Sequence, residues 1–154
     1  MDSKLQSSDV TLQEQLSKLM NVMASDCSGR EYLLNQSCSL VLPIINALKR
    51  QSQDTTVRQN LLGVLQKLSL RRASQSIMIQ NGWIEYLLSL FEDLENLSEY
   101  TIEYGSALLM NLCLRTQGKK VCLQDPSRTL RILNELIEHD NLQVGLIQYL
   151  FTSL

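Results

Sequence analysis

Two stretches of the chain carry polar groups at matching intervals. Lys67 and Arg71 stand four residues apart within "LLGVLQKLSLRR", and Asn111 and Arg115 stand four apart within "SALLMNLCLRTQ", 44 positions further on. Four residues is about one helical turn, so each pair is expected on one face of a helix. An ammonium, two guanidinium groups and an amide in such a stripe are suited to holding carboxylates and the backbone of an extended acidic or amide-rich peptide. Arg72, Lys119 and Lys120 follow at the ends of the two stretches and form a secondary basic patch. The plainer reading is that an arginine near a helix C-terminus complements the helix dipole, worth about 0.3–1 kcal/mol.

Other reactive residue types are sparse. His139, the one histidine, lies beside Asp140 in a polar run, where a solvated loop residue is expected, with no candidate nucleophile near it in sequence. Cys27, Cys38, Cys113 and Cys122 include no C-x-x-C pair, which excludes the usual zinc patterns. Reduced, packed thiols are expected, and Cys113 follows Leu112 as Ser69 follows Leu68, where closely packed helices call for a small residue. Trp83, next to Asn81-Gly82, is expected to plug the core. Arg71-Arg72-Ala73-Ser74 fits the pattern of basophilic kinases and puts a phosphorylatable hydroxyl at a helix exit. No G-x-S-x-G, phosphate loop or dinucleotide fingerprint occurs. The chain therefore reads as a non-enzyme with no catalytic residue, metal site, cofactor or small-molecule substrate.

Fourteen Lys and Arg against sixteen Asp and Glu leave a net charge of −2, no general reason to bind nucleic acid or anionic lipid. Nucleic-acid binding through Arg71, Arg72, Arg115, Lys119 and Lys120 is the alternative from a different class. Apolar runs such as Ser39–Leu48 and Ser106–Leu114 fall short of the roughly 20 residues that span a bilayer, so no membrane insertion is expected. Met1–Val10 lacks the pattern of a secretory signal, which makes the cytosol the default location.

These residues must be positioned by helices. Apolar side chains recur at three- and four-residue steps, as in Leu12, Leu16, Leu19, Met20 and Met23, or Leu61, Leu65 and Leu68, and strand-like alternation is absent. Polar runs at 52–56, 93–99 and 138–141 separate helices, and Pro43 and Pro126 fall near helix starts. Met23, Leu68, Leu112 and Leu154 recur at intervals of 45, 44 and 42 residues. A helical period of about 40–47 residues marks an α-solenoid, in which each unit buries its apolar face by stacking on the next. Between the long helices, "MIQNGWIEYLLSLFED" supplies a short helix ending near Asn81-Gly82 and a second one with Ile84, Leu87, Leu88 and Leu90 facing inward.

The short, second and long helix order resembles the armadillo repeat, with "NGWIEYLLSL" and "ALLMNL" the best-matching segments. The expected fold is an all-α, armadillo-type α-solenoid of about three repeats plus a partial N-terminal repeat. Residues 1–8 are expected to be a disordered start, and 9–154 the armadillo-repeat domain, part of a longer solenoid. "NLLGVLQKLSLRRASQSIMIQNG" and "LSEYTIEYGSALLMNLCLRTQGKKVC" narrow the resemblance to the armadillo-repeat-containing protein nine family, LisH-domain proteins of cilia and basal bodies. That resemblance implies a protein-binding scaffold of the cilium, centriole or basal body and ciliary tip, in the cytoplasm and cytoskeleton. It also implies partners among microtubule-associated proteins and a role in ciliogenesis and axonemal length or stability. The armadillo resemblance further implies that the long helices line a groove, which would hold Lys67, Arg71, Asn111 and Arg115. A nuclear transport receptor is the related alternative. Armadillo cargo receptors grip basic peptides with Asn and Trp, and only Asn111 matches; Lys67 and Ser153 replace the other Asn, and Gly63, Ala107 and Tyr149 stand where Trp would be. The acidic residues Glu92, Asp93, Glu95 and Glu99 offer a fallback interface.

Overall fold

The computed structural model describes residues 9–35 and 40–139. Within them lie nine α-helices and one 3-10 helix, and no strand. In chain order they are α1 (Val10–Ser25), α2 (Cys27–Asn35), α3 (Val41–Lys49), α4 (Thr56–Leu68), α5 (Arg72–Gln80), α6 (Trp83–Leu90), the 3-10 helix (Phe91–Asn96), α7 (Glu99–Cys113), α8 (Thr116–Cys122) and α9 (Pro126–Glu138). Two complete short, second and long triplets, α2–α4 and α5–α7, follow the long helix α1, and α8 with α9 begin a third. The expected all-α repeat order is therefore present. The expectations for residues 1–8 and for Tyr149, Ser153 and Leu154 fall outside the described residues, as does Cys38.

Local chemistry starts the helices where the polar runs lie. Asp9, Thr55 and Ser98 cap the three long helices, their side-chain oxygens accepting the N–H groups of Leu12, Arg58 and Thr101 at 3.1, 3.2 and 3.2 Å. Such caps satisfy orphan donors and are worth about 1 kcal/mol each. Asp125 caps α9, whose first residue is Pro126, where a missing N–H costs nothing. Asp54 adds a link between repeats: its carboxylate accepts from Ser98 N–H at 2.6 Å and Thr101 Oγ1 at 2.7 Å, so the loop before α4 also fastens the start of α7.

The long helices α1, α4 and α7 pack side by side, while α3 meets α5 and α6 meets α8. Met20, Leu61, Leu65, Leu68, Leu109 and Leu112 are buried between them, as the leucine spacing requires. Trp83 is wholly buried and its ring stacks on Tyr86 with centroids 4.4 Å apart. Leu90 departs from expectation: α6 ends there, and the residue is half-buried while its neighbour Phe91 takes the core position against Gly105.

Each long helix hands over to the next short one through a small residue. A Cβ on Gly29 would lie 2.0 Å from the Met23 carbonyl oxygen, and one on Gly118 would lie 2.2 Å from that of Leu112. Ser74 occupies the equivalent place in the middle repeat and is 1% exposed. The phosphorylation reading of Arg71–Ser74 is corrected accordingly, because the hydroxyl is buried where α5 crosses the end of α4. The next residue then caps the long helix: Arg30 Nη1 donates to Ala24 O at 2.9 Å and Ser25 O at 3.0 Å, and Gln75 Nε2 donates to Ser69 O at 2.8 Å. Carbonyls left open at a helix C-terminus are satisfied in this way.

Candidate interaction surface

The structure divides the expected stripe into two parts. Lys67 is half-buried on α4, and its Nζ donates to Asn21 Oδ1 at 2.6 Å and Asn21 O at 3.2 Å, tying α4 to α1. Desolvation, with Arg30 nearby, lowers its pKa from the ordinary lysine value. Asn111 is 7% exposed on α7, and its Nδ2 donates to Ser69 Oγ at 2.8 Å. Asn111 is expected to bond a partner's backbone; in the structure one of its two amide N–H groups is bonded inside the fold. Both side chains reach back to the preceding repeat.

Arg71 and Arg115 lie elsewhere. α4 ends at Leu68 and α7 at Cys113, so neither arginine continues the helical face of Lys67 or Asn111. After each long helix the chain turns, with Arg71 N–H bonded to Leu68 O and Arg115 N–H to Leu112 O, both at 3.1 Å. The backbone is then extended at Arg71 (φ −105°, ψ 129°) and Arg115 (φ −92°, ψ 136°), where each becomes the N-cap residue of α5 or α8. Arg71 is exposed; its Nη2 lies 3.6 Å from Glu31 Oε1 and donates to Cys27 Sγ at 3.7 Å. An exposed pair at that separation holds the guanidinium only weakly. Arg115 is partly exposed. Arg72 and Lys120 are exposed beside them, whereas Lys119 has a partner within the fold.

Two residues were missed. Leu70 and Leu114 immediately precede the arginines and are 59% and 52% exposed. Each exit therefore presents an apolar side chain followed by a cation. The signal was in the sequence, since the dipeptide Leu-Arg recurs at the 44-residue spacing, but apolar periodicity assigns leucines to the core by default.

Beside the exits, the long helices form a polar face. Gln66, Lys67, Glu103, Tyr104 and Ala107 line a recess of about 260 Å³ between α4 and α7. Tyr100 and Tyr104 stack with ring centroids 4.2 Å apart, and Asn21 Nδ2 donates to Tyr100 Oη at 3.2 Å and Asn60 Oδ1 at 3.1 Å. Burial raises the Tyr100 phenol's pKa. Gly63 makes this floor possible, because a Cβ there would lie 2.7 Å from Tyr100 Oη.

The acidic fallback residues stay at the surface: Glu92 pairs with Arg128 at 2.8 Å and Arg131 at 3.6 Å, Asp93 accepts from Asn96, and both are exposed, as are Glu95 and Glu99. His139 follows α9 and is half-buried, not fully solvated. Among the described residues, no helix is long and apolar enough to cross a membrane, and no group of His, Cys, Asp and Glu could hold a metal ion.

Stacked three-helix repeats with small-residue crossovers and aligned long helices define an armadillo-type α-solenoid module. Residues 78–153 match a family model described as LisH domain-containing protein ARMC9, ARM repeats. The chain is 46% identical over 127 residues to the LisH domain-containing protein ARMC9 of Danio rerio, covering 82% of this chain and 15% of that protein. It is 41% identical over 140 residues to the Bos taurus protein of the same name, covering 91% and 21%. For the Homo sapiens protein the figures are 40% over 140 residues, 91% and 17%. The chain is similar to the armadillo-repeat region of these proteins. It spans about a fifth or less of the length of these curated relatives.

Proposed function

We propose that this module is a non-enzymatic, protein-binding scaffold of the cilium, centriole or basal body and ciliary tip, where it supports ciliogenesis and axonemal microtubule length or stability. Similarity to that family supports the setting, and the observation that carries the binding role is the repeated exposed Leu-Arg pair. Leu70-Arg71 and Leu114-Arg115 occupy equivalent exits of adjacent repeats. Solenoids bind through such side-by-side equivalents, and an apolar anchor next to a cation fits a partner segment with alternating apolar and acidic residues. Lys67 contributes positive charge at the edge of the neighbouring recess, with Arg72 and Lys120 flanking. Microtubule-associated proteins of the ciliary tip or basal body are the proposed partners. Nucleic-acid binding has less support, because the net charge is −2 and the basic residues are interleaved with leucines instead of stacking aromatics.

Capture from extracts tests the reading. The immobilised chain should enrich axonemal or basal-body proteins from ciliated cells relative to the same cells before ciliation. No enrichment over an unrelated helical solenoid would overturn it.

A further inference from the structure

Cys113 and Cys122 meet inside the fold. Their sulfur atoms are 3.4 Å apart, and both residues are 1% exposed. Cys113 is the last residue of α7 and Cys122 the last of α8. Gly118, midway along α8, lets that helix ride against the Leu112 carbonyl and so brings its end back to the end of α7. Repeat packing does not demand a pair of thiols here: the equivalent residues one repeat earlier are Ser69 and Met78. A disulfide has sulfurs about 2.05 Å apart, so closing the bond shortens the 3.4 Å sulfur–sulfur separation by about 1.4 Å.

We propose that Cys113 and Cys122 form a reversible intrachain disulfide, closed by a peroxide, that pins the end of α7 to the end of α8. The Cys122 thiolate attacks one peroxide oxygen; the O–O bond breaks, Cys122 becomes a sulfenic acid and hydroxide leaves. The Cys113 sulfur then attacks the Cys122 sulfur, the S–S bond forms, the S–O bond breaks, and the Cys113 proton leaves with the departing oxygen as water. Two thiols are oxidised and one peroxide is reduced to two waters. Either sulfur can donate in this contact, and the same disulfide and two waters result whichever thiolate attacks first. With both thiols 1% exposed, access requires local opening of α8, the seven-residue helix that ends at Cys122. The bond would span Leu114, Arg115 and Lys120, holding one basic exit in a single arrangement.

The test uses the full chain exposed to hydrogen peroxide, then alkylated in denaturant and digested with trypsin. Cleavage after Arg72, Arg115, Lys120 and Arg128 separates Cys113 from Cys122, so the disulfide appears as peptide 73–115 joined to peptide 121–128. The linked species should form faster in the native protein than in urea, vanish with dithiothreitol, and be absent from Cys113→Ser. That variant carries the residue the preceding repeat uses at Ser69, and its folding is checked by circular dichroism. Exposed Cys27 is the internal dosimeter. The proposal fails if Cys113 and Cys122 are both recovered alkylated, or as separate sulfinic acids, at a dose that oxidises Cys27. It fails equally if linkage forms only in urea.

Discussion

Replacing Gly118 with alanine should destabilise the protein, although alanine is the better helix former by about 1 kcal/mol. The added Cβ would sit 2.2 Å from Leu112 O and 2.8 Å from Leu112 C, whereas ordinary contact begins near 3.4 Å. Backbone stands on both sides of the clash, so α8 must move away by roughly 1 Å, at an overpacking cost in the upper part of the usual range of about 1–3 kcal/mol. Subtracting the helix-propensity gain leaves a net loss of about 1–2 kcal/mol. Urea denaturation followed by circular dichroism measures it, read as a lower midpoint at unchanged slope. Gly82→Asn is the matched control: Gly82 has φ 71° with nothing within 4 Å of its Cβ position, and asparagine tolerates the left-handed region. That variant meets no clash and should lose less than Gly118→Ala, its cost being the left-handed φ alone. A Gly118→Ala protein as stable as wild type would show that α8 does not press on the end of α7, and the crossover rule for Gly29, Ser74 and Gly118 would be wrong.

Leu65→Ala and Leu109→Ala should each cost about 2–5 kcal/mol in chemical denaturation, since both are buried repeat equivalents; a loss below about 1 kcal/mol would contradict their placement. Asn111→Ala removes the donor to Ser69 Oγ and should lower stability by about 1–3 kcal/mol without changing partner capture. Asp54→Ala releases Ser98 N–H and Thr101 Oγ1, and hydrogen exchange in the first turn of α7 should accelerate while that of α1 stays unchanged.

Helices and period were legible because leucines at three- and four-residue steps, capped by Asp9, Thr55, Ser98 and Asp125, leave few alternatives. The stripe was harder. Lys67 and Arg71 obey helical spacing, and no Gly or Pro announces the turn through Ser69 and Leu70 that sends Arg71 off the helix. Burial of Asn111 was hidden because its partner Ser69 is 42 residues away, and pairing over that distance leaves no local pattern. Ser74 was legible in principle, since the repeat alignment sets it beside Gly29 and Gly118, where only a small residue fits. The kinase-like tetrapeptide drew attention to its hydroxyl and away from its size.

The binding role of the exits is tested most directly by capture from ciliated-cell extract with wild type and with Arg71→Glu combined with Arg115→Glu. Charge-assisted hydrogen bonds contribute about 1.5–3 kcal/mol each, so losing two should weaken the partner by about 100-fold or more. Thermal stability should be nearly unchanged, because Arg71 makes a weak exposed pair with Glu31 and one long, exposed contact to Cys27 Sγ. Undiminished capture by a double variant that melts like wild type would contradict the assignment and move the interface to another face of the solenoid.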